Sequence, residues 1–202
     1  MRLLLATNNP GKVKEIKPHV NKALAREIIS LADLGLFFEA AETGNTFEAN
    51  AVQKAAETAD FLKGHGFDDF IVVADDSGFC VEAMGDEPGV DSANFMGRET
   101  PYEVRNEYII NEVNKCDNRR AKFMCVIACV FPSGEVVIAT GEVHGEVAQT
   151  LRGENGFGYD PIFFVPSLGK TMAELTMDEK SAISHRGQAL KKLLDMLKER
   201  VK

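Results

Sequence analysis

The chain has 202 residues, 45% hydrophobic and 27% charged, with a formal net charge of -8 and a pI near 5.1. Such a length suits one domain burying roughly 70% of the surface its unfolded form would expose, and the composition is that of a globular chain, with disorder expected only at the extreme C-terminus. The acidic balance disfavours a nucleic-acid backbone as partner, since that needs a basic face, and an anionic small ligand requires local positive charge or a metal.

Cys80, Cys116, Cys125 and Cys129 form no Cys-x-x-Cys pair and have no His at zinc-ligand spacing, so reduced structural cysteines are expected. The apolar start Met1 to Leu5 is too short for a signal peptide and no stretch reaches membrane-spanning length. The expectation is a cytoplasmic protein with neither a membrane nor a nucleic-acid partner.

In chain order, Arg2 to Ala6 predicts a strand, followed by Thr7-Asn8-Asn9-Pro10-Gly11-Lys12 and a helical pattern carrying Val13, Ile16 and Val20. Asn9 as N-cap and Pro10 at the first helical position start that helix. A strand feeding a helix N-terminus is a place where phosphates bind, with Lys12, Thr7 and Asn8 as further donors. An ordinary capped helix is the competing reading, because the glycine spacing of a Walker loop is absent.

A strand near Ile28 to Ser30 and an acidic loop from Phe37 to Asn45 precede a helix expected from Thr46 to about Lys63. Asn50 and Lys54, four apart, share a face of it. Phe70 to Ala74 then reads as a strand covered on both faces. It delivers Asp75, Asp76 and Ser77 to the carboxyl edge of a sheet, where α/β folds hold ligands. Two adjacent carboxylates are either solvated, in a turn closed by Gly78, or neutralised by a metal cation.

Thr100-Pro101-Tyr102-Glu103 predicts a capping box opening a helix that ends near Asn114. Ala121 to Phe131 is a long, largely buried strand, turned by Pro132-Ser133-Gly134 into a second from Val136 to Val143, which makes the sheet mixed. Gly153 to Asp160 is a glycine-rich loop whose Phe157 offers a flat face for stacking, or plugs the core. Ile162 to Val165 is a short strand. Gly169-Lys170-Thr171 is not a Walker loop, since Phe164 stands where the pattern needs glycine. A capping box at Thr176 to Glu179 places Lys180 inside a short helix. His185 and Arg186 open the last helix, whose inner face holds Leu190, Leu193, Leu194 and Leu197.

Five segments together, TNNPGK at 7–12, ETGNTFEANAVQKA from Glu42, ADDSG at 74–78, GFGYDPIF at 156–163 and EKSAISHRG at 179–187, resemble the house-cleaning inosine/xanthosine triphosphate pyrophosphatases, the Ham1-like family. The resemblance spans almost the whole chain. It implies an α/β fold, a mixed twisted central sheet flanked by helices, with residues 1–202 forming a single bilobed domain around a nucleotide cleft. It also implies Mg²⁺-dependent hydrolysis of ITP, dITP and XTP to the monophosphate and pyrophosphate by a homodimer.

Carried over by motif, Thr7, Asn8, Asn9, Pro10, Gly11, Lys12 and Lys54 would hold the triphosphate. Glu42 and Asp76 would hold Mg²⁺, with Asp76 also taking the proton of the attacking water. Ser77 would touch substrate. Phe157, Gly158, Tyr159 and Asp160 would wall the base and sugar, and Lys180, His185 and Arg186 would read the base edge. Asp75 is expected to orient the turn or a water.

One departure stands out: the family commonly carries Tyr-Ser-Ala-Arg where this chain has Asp91-Ser92-Ala93-Asn94, so an aromatic and a cation are missing from that loop. The alternative function is a catalytically weak nucleotide-binding or sensing module on the same fold.

Overall fold

A computed structural model describes residues 2–200. Seven strands form one sheet: β1 Arg2–Leu5, β2 Ile28–Ser30, β3 Phe70–Val81, β4 Arg120–Val130, β5 Val136–Val147, β6 Phe163–Val165 and β7 Lys170–Thr171. Their order across the sheet is β2-β1-β3-β4-β5-β6-β7. The β1 strand is parallel to both β2 and β3, whereas β6 is antiparallel to β5 and β7, so the sheet is mixed as expected. Among the described residues five helices accompany it: α1 Pro10–Leu24, α2 Phe47–Gly64, α3 Tyr102–Val113, α4 Met177–Ile183 and α5 His185–Arg200.

Local chemistry explains most of the boundaries. Asn9 caps α1, accepting from Gly11 N at 2.9 Å and Lys12 N at 3.3 Å, and Thr46 caps α2 through Ala49 N at 3.1 Å. Thr176 forms the anticipated capping box on α4. The box expected at Thr100 does not form: its hydroxyl donates to Met96 O at 2.7 Å, and Pro101 precedes α3 with no side-chain cap.

The larger difference lies in β3, which continues through Asp75 and Asp76 to Val81 instead of stopping at Ala74. Asp75 and Asp76 are 1% and 6% exposed. They belong to a buried strand and not to a solvated turn, because lysines from α1 and α2 meet them there. Lys170 and Thr171 pair with β6 in β7, so the rejected phosphate loop is a strand.

The chain divides into two compact units: one holds residues up to Asp76, Cys125–Gly141 and the chain from Ala189 on, the other Ser77–Met124 and Glu142–Gln188. Each has its own core. In the first, Leu3, Leu5, Ile71, Val73, Ile127 and Cys129 pack with Ile16 of α1 and with Leu190, Leu193 and Leu197 of α5. In the second, Phe79, Phe123, Phe163, Ile109 and Met172 pack together, with Phe79 and Phe123 ring centroids 5.1 Å apart. Burying each such side chain stabilises the fold by about 1.5–3 kcal/mol.

Candidate active site

The first unit gathers two lysines and three carboxylates at the midpoint of β3. Lys12, from the first turn of α1, contacts Asp75 Oδ2 at 3.0 Å. Lys54, from the middle of α2, donates to the Asp75 carbonyl at 3.1 Å, pairs closely with Glu42 and lies 4.0 Å from Asp76 Oδ1. Glu42 and Asp76 therefore converge on one cation. Asn50, one turn before Lys54, donates from Nδ2 to Asp76 Oδ2 at 3.1 Å.

Charge states follow from this packing. Burial opposes a charged Lys54, yet Asp75, Asp76 and Glu42 outweigh it and raise its pKa. For Asp76, burial is the largest influence and raises the carboxyl above its ordinary value, against the pull of Lys54, Lys12 and the Asn50 amide. A carboxylate that ionises reluctantly is a better proton acceptor than an exposed one.

The TNNPGK segment is arranged differently from a free anion cradle. Gly11 and Lys12 N–H groups are taken by the Asn9 cap, Thr7 Oγ1 accepts from Asn9 N at 3.2 Å, and Asn8 Nδ2 donates to Phe38 O at 3.3 Å. Pro10 carries no N–H. Lys12 alone of the six reaches the carboxylate group with its side chain.

The second unit holds the aromatic and basic residues. Asp160 accepts from Phe157 N at 2.7 Å and from Lys180 Nζ at 2.6 Å, with both the Asp160 and Lys180 side chains buried. The Lys180 ammonium lies 5.0 Å and the Arg186 guanidinium 5.6 Å from the Phe157 ring centroid, within cation–π range. Arg186 also donates to Ser77 Oγ at 2.8 Å, and His185 stacks on Phe123 with centroids 4.7 Å apart. Both residues are buried at the start of α5.

Gly156 lies at φ +75°, and a Cβ there would collide with the Asp160 carboxylate. Glycine is required for that carboxylate to turn back onto the loop. Gly158 O accepts from Asn106 Nδ2 at 3.1 Å, and Tyr159 OH donates to Ser92 O at 2.8 Å.

Sequence reading missed two features of this unit. Arg105 of α3 is 1% exposed and donates to the carbonyls of Ser92, Ala93, Gly97 and Arg98, organising the loop from which a cation is missing at Asn94. Asn106 braces the Gly158 turn. Neither had a signal in spacing: Arg105 bonds the irregular loop just before its own helix, and Asn106 reaches a turn 52 residues on.

Oxygen-only donors suit a hard cation such as Mg²⁺, which takes one or two carboxylates and completes its shell with phosphate and water. Glu42 and Asp76, already shared by one ammonium, fit that requirement. Among the described residues no three His, Cys, Asp or Glu side chains gather to hold a metal unaided.

The fold and these groups define an open, mixed-sheet α/β protein with a buried carboxylate–lysine centre on a middle strand and a separate aromatic–basic group following it in the chain. Comparison with known proteins gives the family directly. The chain belongs to the Ham1 family, which it matches over residues 3–196. It is 46% identical over 199 residues to the dITP/XTP pyrophosphatase of Clostridium perfringens, covering 98% of this chain and 97% of that one. With the dITP/XTP pyrophosphatase of an Exiguobacterium species the identity is 48% over 193 residues, covering 96% and 95%. Among solved structures, the Staphylococcus aureus Ham1 protein superposes with a TM-score of 0.86 at 38% identity, covering 99% of this chain and all of that one.

Proposed function

We propose that the protein is a Mg²⁺-dependent pyrophosphatase of non-standard purine nucleoside triphosphates, converting ITP, dITP or XTP to the monophosphate and pyrophosphate. The observation that carries this reading is the convergence of Glu42 and Asp76 on the Lys54 ammonium, with a second lysine, Lys12, on the adjacent Asp75. It is supported by the dITP/XTP pyrophosphatase names of relatives matched over nearly the full chain.

In this reading Glu42 and Asp76 would hold the metal, which when bound would supply charge neutralisation and a more acidic water. Lys12 and Lys54 are the local positive charge that lets an acidic protein accept a triphosphate, with Thr7, Asn8, Asn9, Pro10 and Gly11 as its backbone surround. Water attacks the α-phosphorus, its proton passes to Asp76, and the bond from that phosphorus to the bridging oxygen breaks to release pyrophosphate. The raised pKa of Asp76 suits it to receive the proton.

Base selection falls to the second unit. Phe157 stacks on the purine, flanked by Gly158 and Tyr159, while Asp160 fixes Lys180, and Lys180, His185 and Arg186 read the edge. N–H donors match the 6-oxo group of hypoxanthine and xanthine and leave the adenine amino group unmatched, a mismatch worth up to roughly 10⁴ in specificity. Ser77, held by Arg186, touches substrate. In this reading residues 1–202 form one functional domain, cytoplasmic and homodimeric.

The test is a panel of ITP, dITP, XTP, ATP and GTP with Mg²⁺ and product identification. The expected result is rapid pyrophosphate release from the first three. Orthophosphate as primary product removes the pyrophosphatase assignment, and tight ITP binding without turnover favours a sensing module.

A further inference from the structure

One neutral side chain of α2 bonds a proposed metal ligand, Asp76, and the backbone two residues past the other, Glu42. Asn50 is 3% exposed. Its Nδ2 donates to Asp76 Oδ2 at 3.1 Å, and its Oδ1 accepts from Gly44 N at 2.8 Å, two residues past Glu42. The amide orientation is determined by these partners, since rotation by half a turn would set oxygen against a carboxylate and NH₂ against N–H.

The segment carrying Glu42 is fastened to α2 by side chains on one helix face. Ala41 N donates to Glu57 Oε2 at 2.9 Å, Thr43 Oγ1 donates to Gln53 Oε1 at 3.2 Å, and the Phe38 ring stacks on Phe61 at 4.6 Å. Gly44 is shaped for this arrangement: a Cβ there would stand 2.7 Å from Ala49 Cβ and 2.8 Å from Asn50 Oδ1. Lys54 also touches both carboxylates, but as a cation. A divalent ion held by Glu42 and Asp76 would repel that ammonium, whereas the uncharged Asn50 would keep its bonds to Asp76 and Gly44.

We infer that Asn50 is a positioning residue, setting the Asp76 carboxylate with its NH₂ and latching the Glu42 segment with its carbonyl, so that two ligands distant in sequence face one cation. This rests on the function proposed above. Outer partners of metal ligands typically contribute 10–100-fold to metal affinity or activity.

The two ends of the amide are separable. Asn50→Asp keeps the acceptor for Gly44 but replaces the donor to Asp76 by a second carboxylate; Gly44→Ala pushes on the latch and spares the donor. For Asn50→Asp we expect kcat for ITP to fall about 10–100-fold with KM little changed and amide exchange at 41–45 still slow. With Gly44→Ala, exchange at 41–45 accelerates and Mn²⁺ affinity, read by electron paramagnetic resonance, weakens. Asn50→Ala shows both losses, with a melting transition confirming that each variant is folded.

If the wild type releases pyrophosphate and Asn50→Ala matches its kcat and Mn²⁺ affinity within about twofold, against the 10–100-fold expected, the inference falls and the proposed function stands. If the wild type hydrolyses no triphosphate yet binds Mn²⁺, and Asn50→Ala weakens that binding, the function falls and the inference stands. Unchanged exchange at 41–45 in Asn50→Ala overturns the latch, and a wild type that takes up no Mn²⁺ overturns both.

Discussion

Asp76 combines burial with nearby positive charge, and burial has the larger influence, so its pKa is raised in the folded protein. Its proton is held to higher pH in the folded than in the unfolded chain. The stability this group contributes is therefore complete below the ordinary aspartate value, about 3.9, and is lost as pH rises through the raised one. Asp76→Asn should consequently melt no lower than wild type at pH 7, with any advantage vanishing in acid, while pyrophosphate release falls by roughly 10²–10⁴. Calorimetry across pH with a turnover assay checks both halves, and full activity removes Asp76 from the mechanism. Lys54 lowers the Asp76 pKa. Lys54→Met should therefore shift the acid limb of kcat/KM to higher pH, and an unmoved limb would show that some other group sets it.

At the scale of elements, backbones are held by contacts that tolerate little change. The buried Asp160–Lys180 pair ties α4 to the 156–160 loop. Lys180→Met takes the ammonium from a buried carboxylate and should cost about 3–5 kcal/mol in urea unfolding, much of it recovered when Asp160→Asn is added. No recovery in the double variant would mean the loss is of packing. Gly187 in the first turn of α5 sits against the Ser181 carbonyl of α4, where a Cβ would overlap backbone. Its φ is not in the left-handed range, so Gly187→Ala tests space alone, with an expected loss of about 1–3 kcal/mol.

Strand β3 shows what element-level reading can and cannot reach. The apolar run Phe70 to Ala74 identifies a buried strand, yet Asp75 and Asp76 remain in the strand because Lys12 and Lys54 meet them from α1 and α2. Their neutralisation is tertiary, so a local rule that charges end strands stops too early. Likewise the Asn9 cap was legible from the Asn-Pro pair, but the cap consumes the very N–H groups that a phosphate reading needs.

For the whole molecule, reduced cysteines follow from spacing, and the structure differentiates them. Cys116 is exposed, while Cys80, Cys125 and Cys129 are buried. Burial pushes the Cys80 thiol up to about 11 and the Cys129 thiol up to about 12. Thiolates are the reactive form, so an aromatic disulfide reagent should titrate one thiol quickly in the native protein and all four after denaturation. A second fast equivalent would place another cysteine at the surface. Among the described residues no helix is long and apolar enough to cross a membrane.

The carboxylates at the end of an apolar run, the helix caps, the period-two strands and the ordered set of motifs were sufficient by themselves to determine the mixed α/β class and the Ham1-family expectation. These depend on residues near one another in the chain or on their order along it. Tertiary structure alone decided that Asp75 receives Lys12, that Glu42 and Asp76 share Lys54, that Asn50 bonds Asp76 and the Gly44 backbone near Glu42, and that Arg105 supplies a cation to the loop around Ser92. Such pairings join segments up to 63 residues apart, and local propensity has no term for which distant side chain will neutralise a buried charge.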